Sequence, residues 1–213
     1  MQFFPLFFRF AGRKILVVGG GKVAERKVRQ LLECGAAVTV VSPEADDCLV
    51  NLAKDKIIVW NRRKYIPGEA GDYALVIATT DDEQVNRRIY EDAAVGHIPF
   101  NAADQPDLCS VIFPAVIRRG DMTIAIASDG KAPFLTKSVK AELEQQIPPS
   151  LGKKAELAGF FRQWLLANCT GEEMKKRMYD KFLVNADLFL DIWQVENPPL
   201  DLWQKWLEEL LVK

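Results

Sequence analysis

Lys14-Ile15-Leu16-Val17-Val18-Gly19-Gly20-Gly21-Lys22-Val23-Ala24 is the stretch that decides the fold. A short apolar run ends in three glycines and a helical pattern starts at once, the strand–turn–helix order that a pyrophosphate site requires. Gly19 permits the tight turn, Gly21 lets the backbone approach a phosphate, and Ala24 is small enough for the helix to pack on the strand. The free N–H groups and dipole at the helix start would face the anion, with Lys22 and Val23 in that first turn.

Working outward, Ala24, Val28, Leu31 and Leu32 follow the spacing of one buried helix face, while Glu25 and Arg29 form an i, i+4 pair on the exposed side. Gly35 stops this helix, and Ala37–Val41 is the next strand, completing a βαβ unit. A dinucleotide fold ordinarily places Asp or Glu at the end of that strand to bind ribose hydroxyls. Here the strand ends in Ser42-Pro43-Glu44, so the Ser42 hydroxyl or Glu44 is the candidate. No arginine follows directly to favour a 2′-phosphate, which points to NAD rather than NADP.

Upstream, Phe3 to Phe10 is expected to pack under the first strand. Downstream, Ile57–Trp60, Tyr73–Ala78 and Ile98–Phe100 read as further strands, the middle one apolar on both faces as a central parallel strand should be. Thr80 and Glu83 stand at capping-box spacing before a helix carrying Val85, Ile89 and Ala93. Strands alternating with helices predict a doubly wound α/β domain over residues 1–112. Ligands in such sheets sit beyond the carboxyl ends of the strands, where Gly19–Val23, Ser42–Glu44, Thr79-Thr80-Asp81 and Asn101–Asp104 converge.

The pattern then changes. Val111–Ile117 and Met122–Ala127 read as a hairpin joined by Arg118-Arg119-Gly120-Asp121, and Pro133 opens a helix lined by Leu135, Val139 and Leu143. One hairpin and one helix bury little alone, so residues 113–149 are expected to act as a dimerisation region of a homodimer. Residues 150–213 read as a helical domain, with an apolar stripe at Leu157, Phe160, Phe161, Trp164 and Leu165. Thr170 and Glu173 suggest a second capping box before Met174, Met178 and Phe182, and Trp203–Leu211 a last amphipathic helix. The fold class expected is thus a Rossmann-like parallel sheet, a small α+β dimerisation region and a C-terminal helical domain.

At 213 residues, 49% hydrophobic and 27% charged, the chain can bury a substantial core. Its net charge of −1 excludes an overall basic nucleic-acid binder. Neither a signal peptide nor a membrane span is expected, the apolar start lacking a basic leader and cleavage site. Cys34, Cys48, Cys109 and Cys169 form no C-x-x-C pair, as expected of reduced, mostly buried thiols in a cytoplasmic protein. His97 is the single histidine, and without ligand partners it predicts no metal site.

Taken together, Pro5-Leu6-Phe7, Val17–Ala24 followed by Arg26-Lys27, Ala78-Thr79-Thr80-Asp81, Asn101-Ala102-Ala103-Asp104 and Ser128-Asp129-Gly130 before Pro133 resemble the precorrin-2 dehydrogenase/sirohydrochlorin ferrochelatase family, the siroheme-synthase module. The resemblance is closest over residues 3–147 and continues through the tail, with no counterpart of the methyltransferase half fused in some siroheme synthases. It implies oxidation of precorrin-2 to sirohydrochlorin with NAD+, and in many members Fe2+ insertion afterwards, by a homodimer. It implies that Gly19, Gly21, Lys22 and Val23 hold the pyrophosphate and that Pro43 and Glu44 lie beside the adenosine ribose. Asp104 matches the family's catalytic aspartate; by residue type alone an Asp in N-x-x-D-x-P is also a turn former.

Ser128 falls at the serine of the family's loop, and by itself is also a turn or N-cap residue. Where the family often has Ser before the proline, this chain has Ala132. A tetrapyrrole carries many carboxylates, so Asn101, Ser128, Gly130, Arg118, Arg119, Lys131 and Lys137 are candidates to contact it. The rival reading is a non-catalytic NAD(H)-sensing Rossmann module, which shares the glycine loop but has no need of Asn101–Asp104 or the Ser128 loop.

Overall fold

The computed structural model describes residues 3–192, in two compact units, Met1–Phe113 and Pro114–Lys213. The first is a five-stranded parallel sheet built from β1 (Lys14–Val18), β2 (Ala37–Val41), β3 (Val59–Asn61), β4 (Leu75–Ala78) and β5 (Phe100–Ala102), in the order β3-β2-β1-β4-β5. β4 is buried at every position and β1 at all but Lys14, which is why both read as continuous apolar runs rather than alternating ones. Helices α1 (Lys22–Glu33) and α2 (Asp47–Lys54) cover one face, burying Ala24, Val28, Leu31 and Leu49 against Ile15, Val17, Val38 and Val40. Helix α3 (Glu83–Val95) covers the other, where Ile89 and Ala93 pack with Leu16, Val76 and Phe100. The chain order reverses between β1 and β4, so the crevice for a ligand opens beyond Val18 and Ala78.

Several expectations move by a residue or two. β5 starts at Phe100 rather than Ile98 because Pro99 has no N–H to give the ladder, although its carbonyl accepts from Val76 N–H at 3.0 Å. Ile57 N–H is claimed by Leu52 O, so the third strand begins only at Val59. The Thr80–Glu83 capping box does not form. Asp82 is the N-cap of α3, accepting from Gln84 N and Val85 N at 2.9 and 3.1 Å, because a carboxylate suits the positive end of the helix better than a hydroxyl. The Thr80 hydroxyl instead donates to Asn86 Oδ1 at 2.7 Å. The opening phenylalanines also depart from expectation. Phe10 packs on the β1–α1 core, but Phe4, Phe7 and Phe8 are 81%, 75% and 58% exposed.

Lys27 is a charged residue on the buried face of α1, only 9% exposed, with its ammonium 3.6 Å from the ring centre of Phe113. Burial, with Arg26 adding to it, pushes its pKa down to about 8. Below that pH both the folded and the unfolded chain hold the proton, and the cost of burying the ammonium is fully present. Between about 8 and the ordinary lysine value only the unfolded chain binds the proton, so this group makes stability rise with pH, by at most about 3 kcal/mol. Urea unfolding should therefore show wild type gaining on Lys27→Met between pH 7.5 and 10. Parallel curves would mean that Lys27 titrates normally.

The second unit begins with the antiparallel hairpin β6 (Ala115–Arg119) and β7 (Met122–Ile126), followed by α4 (Pro133–Gln146), α5 (Ser150–Asn168) and α6 (Glu172–Ile192). Gly120 turns the hairpin at φ +56°, and α5 comes so close that a Cβ on Gly152 would lie 2.8 Å from Arg119 C and Gly120 N. Leu157, Phe161 and Leu165 of α5 bury against Met178, Phe182 and Ala186 of α6, while Phe160 lies outside this stripe, 45% exposed. Lys175 N–H bonds to Gly171 O and Glu173 pairs with Arg177 rather than reaching back, so Thr170 and Glu173 form no capping box. The helix expected over Trp203–Leu211 lies outside the described residues.

Candidate functional site

The three glycines do three different things. Gly19 stands at φ +116°, donates its N–H to Val41 O at 2.9 Å, and leaves no room for a side chain, since a Cβ there would meet the backbone oxygen of Thr79 at 2.8 Å. A Cβ on Gly20 would run into the Glu44 carbonyl and come within 2.9 Å of Ala45 Cα and Ser42 Oγ. Gly21 has open space where a Cβ would be, and it begins α1 as an N-cap with no side chain bonded across the helix end. An uncapped helix start approached by a bare glycine is a cradle for a phosphate.

Charges surround the cradle. The exposed Lys22 ammonium lies 2.9 Å from Asp46 and 3.2 Å from Glu25, and its pKa is raised, first by the bond to Asp46. Glu25 in turn holds Arg29 at 3.0 Å, which lowers the Glu25 pKa. Val23 is half-buried behind Lys22.

Beyond β2, Ser42 is buried and its hydroxyl donates to Glu44 O, so it braces the turn, while Pro43 and Glu44 are exposed. Trp60 Nε1 donates to Ser42 O at 3.1 Å and Arg62 Nε to Pro43 O at 3.3 Å, with the guanidinium over the Trp60 ring. An arginine thus does reach this end of the site, from the residue just after β3 rather than from the residues following Ser42. At the end of β4 the Thr79 hydroxyl donates to Val18 O at 3.0 Å, locking β4 to the glycine turn; Thr80 is half-buried and Asp81 exposed.

A cleft of about 250 Å³ opens here, with Gly19, Pro43, Thr80 and Val85 in its walls and Lys64 and Arg88 supplying cations. Lys64 and its neighbour Tyr65, also in the wall, lie on a segment that carries no motif, so sequence patterns did not single it out. It is nevertheless firmly held. Arg63 makes a two-pronged pair with Glu69 at 2.9 and 2.6 Å, and Tyr65 O–H donates to Asp92 at 2.7 Å. Burial and Asp92 together raise the Tyr65 pKa, so the phenol keeps its proton. Apolar walls with flanking cations suit the nucleoside and phosphate parts of a dinucleotide, and the Gly21 cradle has the space its backbone approach requires.

At the far strand, Asn101 is buried with Nδ2 bonded to Val111 O at 3.0 Å, and Ala103 N–H reaches Ala78 O at 3.0 Å. Asp104 follows, exposed, just before the short 3-10 turn Pro106–Leu108. In the second unit the Ser128 hydroxyl accepts Ala132 N–H at 3.0 Å and shapes the turn into α4, with Asp129 and Gly130 both at positive φ. Arg118, Lys131 and Lys137 are exposed. Arg119 is committed within its own unit, donating to Ile147 O, Arg118 O and Glu144 O at 3.0 to 3.1 Å and closing the carboxyl end of α4.

A five-stranded parallel sheet in this order, with a glycine cradle at its switch point, defines a dinucleotide-binding Rossmann domain. The chain belongs to the family described as "Putative NAD(P)-binding", whose model matches residues 6–115. It is 45% identical over 163 residues to the siroheme synthase of Ectopseudomonas mendocina, covering 76% of this chain and 35% of that protein. It is 38% identical over 181 residues to that of Neisseria meningitidis serogroup C, covering 85% and 38%. The chain thus spans about a third of the length of the curated relatives it matches. Among solved structures it superposes on "SirC, precorrin-2 dehydrogenase" with a TM-score of 0.72 at 24% identity, covering 89% of this chain and 98% of that one, a likeness of fold.

Proposed function

We propose that the chain is an NAD+-dependent dehydrogenase that oxidises precorrin-2 to sirohydrochlorin in siroheme biosynthesis. The observation that carries this reading is a single sheet edge, where the Gly19–Gly21 cradle and the Asp104 loop leave the carboxyl ends of β1 and β5, the two strands that flank β4. The siroheme synthases at 45% and 38% identity and the fold shared with a precorrin-2 dehydrogenase support it.

In this reading Gly19, Gly21, Lys22 and Val23 hold the pyrophosphate, and Lys22 exchanges Asp46 and Glu25 for phosphate oxygens. Ser42, Pro43 and Glu44 lie along the adenosine ribose, and Thr79, Thr80 and Asp81 line the path towards β5. When bound there, NAD+ would supply the two-electron acceptor for the oxidation of precorrin-2. Asp104 accepts the proton released in that oxidation, as a positioned carboxylate can. Asn101, Ser128 and Gly130 contact the macrocycle, and Arg118, Lys131 and Lys137 receive its carboxylates. Arg119, already bonded to three carbonyls, has little left to offer a substrate.

A second activity, insertion of Fe2+ into sirohydrochlorin, belongs to the same proposal. Metal insertion displaces two pyrrole N–H protons, and Asp104 is the group to take them. Residues 113–149 serve as the dimerisation region of a homodimer, with the helical domain of residues 150–213 belonging to the same compact unit. The 78% and 52% exposure of Phe134 and Leu135 on α4 supports the dimer. Free cysteines support a cytoplasmic location, and among the described residues no helix is long and apolar enough to cross a membrane.

The test is incubation of the purified chain with precorrin-2 and NAD+, followed by absorbance. Formation of NADH together with sirohydrochlorin is expected. Tight NAD(H) binding without turnover would favour the sensing module instead. Fe2+ added to sirohydrochlorin should give siroheme above the uncatalysed rate, and a rate at background would remove the chelatase half alone.

A further inference from the structure

The two shoulders of the loop that carries Asp104 meet at one sulfur atom. Cys109 is 5% exposed. Its Sγ accepts Ala102 N–H at 3.2 Å and stands 3.3 Å from Ala102 O and 3.5 Å from Gln105 O, each within reach of the thiol proton. Asn101 Nδ2 adds a further contact at 3.6 Å. Ala102 is the last residue of β5 and Gln105 is the residue after Asp104, so the two shoulders of the loop meet on the same atom. Closer to Asp104 the remaining bonds are backbone, Leu108 N–H to Gln105 O and Cys109 N–H to Pro106 O, both at 3.1 Å, while at the base of the loop Asn101 Nδ2 donates to Val111 O at 3.0 Å and the Ser110 hydroxyl accepts Phe100 N–H at 2.8 Å. Asp104 itself is exposed and follows Ala103, whose N–H is tied to the end of β4. Little besides the path of the backbone between Ala102 and Gln105 sets the direction of its carboxylate.

We propose that Cys109 is a positioning residue for Asp104, its thiol joining Ala102 and Gln105 and so fixing where the carboxylate stands beside the ends of β4 and β5. The proposal rests on the reading of Asp104 as the proton acceptor in precorrin-2 oxidation. The chemistry suits a thiol: burial raises the Cys109 pKa, so the S–H persists as a donor at neutral pH. The carbonyls at 3.3 and 3.5 Å both lie within reach of a single hydrogen-bond donor at this position. A misplacement of a reacting group by about 1 Å costs on the order of 100-fold in rate, so a loose shoulder is enough to matter.

The test compares Cys109→Ser, which keeps a donor, with Cys109→Val and Cys109→Ala, which do not. kcat and KM for precorrin-2 oxidation are measured per NAD+-binding site, together with the NAD+ dissociation constant and Tm. Positioning predicts that Val and Ala lower kcat about 10- to 100-fold with NAD+ affinity unchanged, and that Ser restores most of the rate. It also predicts that Cys109→Ala costs nothing further in an Asp104→Ala background. A packing role predicts the reverse order, with Val close to wild type and Ser, a buried hydroxyl, the most damaged; that order would overturn the proposal. So would an equal loss from Cys109→Ala with and without Asp104. An Asp104→Ala enzyme with full kcat would instead overturn the reading of Asp104, and the proposal with it.

Discussion

Gly21→Ala should abolish most NAD+ binding while leaving the fold as stable as wild type, and Gly19→Ala should do the opposite first, failing at the level of folding. At Gly21 φ is −83° and a Cβ meets nothing within 4 Å, so the protein itself does not object to alanine. The methyl would stand where a phosphate must approach the start of α1, and a binding loss of at least about tenfold follows from one displaced charge-assisted contact. At Gly19, φ +116° and a Cβ 2.8 Å from Thr79 O combine backbone strain with overpacking, each costing about 1–3 kcal/mol. Urea unfolding and titration of protein fluorescence by NADH would read the two effects separately. Unimpaired NADH binding by Gly21→Ala would show that the pyrophosphate does not sit at this helix start.

Replacing Asp104 by Ala should lower turnover of precorrin-2 by about 10²- to 10⁴-fold, the range for losing a positioned general base. The side chain is exposed and belongs to a loop, so stability should stay within about 0.5 kcal/mol of wild type. NAD+ affinity should hold, because the cradle is built from β1, β2 and β4 and does not include residue 104. Asp104→Asn should fall with Ala rather than with wild type, since an amide keeps the shape but cannot take a proton. If Asp104→Ala turned over precorrin-2 at the wild-type rate, the proton acceptor would have to be sought elsewhere. A loss in metal insertion without a loss in oxidation would confine Asp104 to the second reaction.

The part of this protein legible in its sequence is the part governed by neighbours along the chain. Lys14–Ala24 announced strand, turn and helix because the apolar run, the glycines and the 3.6-residue period are all local, and so did the all-apolar Leu75–Ala78. Where the signal was weak, so was the reading. The eight-residue α2 went unanticipated, as two turns carrying Leu49, Leu52 and Ala53 are too short for their period to stand out from the flanking chain. Thr80 was the expected cap, but Asp82 takes that place while Asn86 engages the Thr80 hydroxyl.

Contacts across the chain decided the rest. Lys27 looks like a solvated charge until α1 is laid over Phe113, and Arg62 looks unrelated to the nucleotide until β3 pairs with β2 and carries it to Pro43. Cys109 reads as an ordinary buried thiol until the chain folds back and sets its sulfur between Ala102 and Gln105. Periodicity and turn chemistry report the conformation of a segment, because they arise from its own dihedral preferences and its own apolar face. Which side chain closes a loop or neutralises a charge depends on distances between segments, and those exist only once the sheet has assembled.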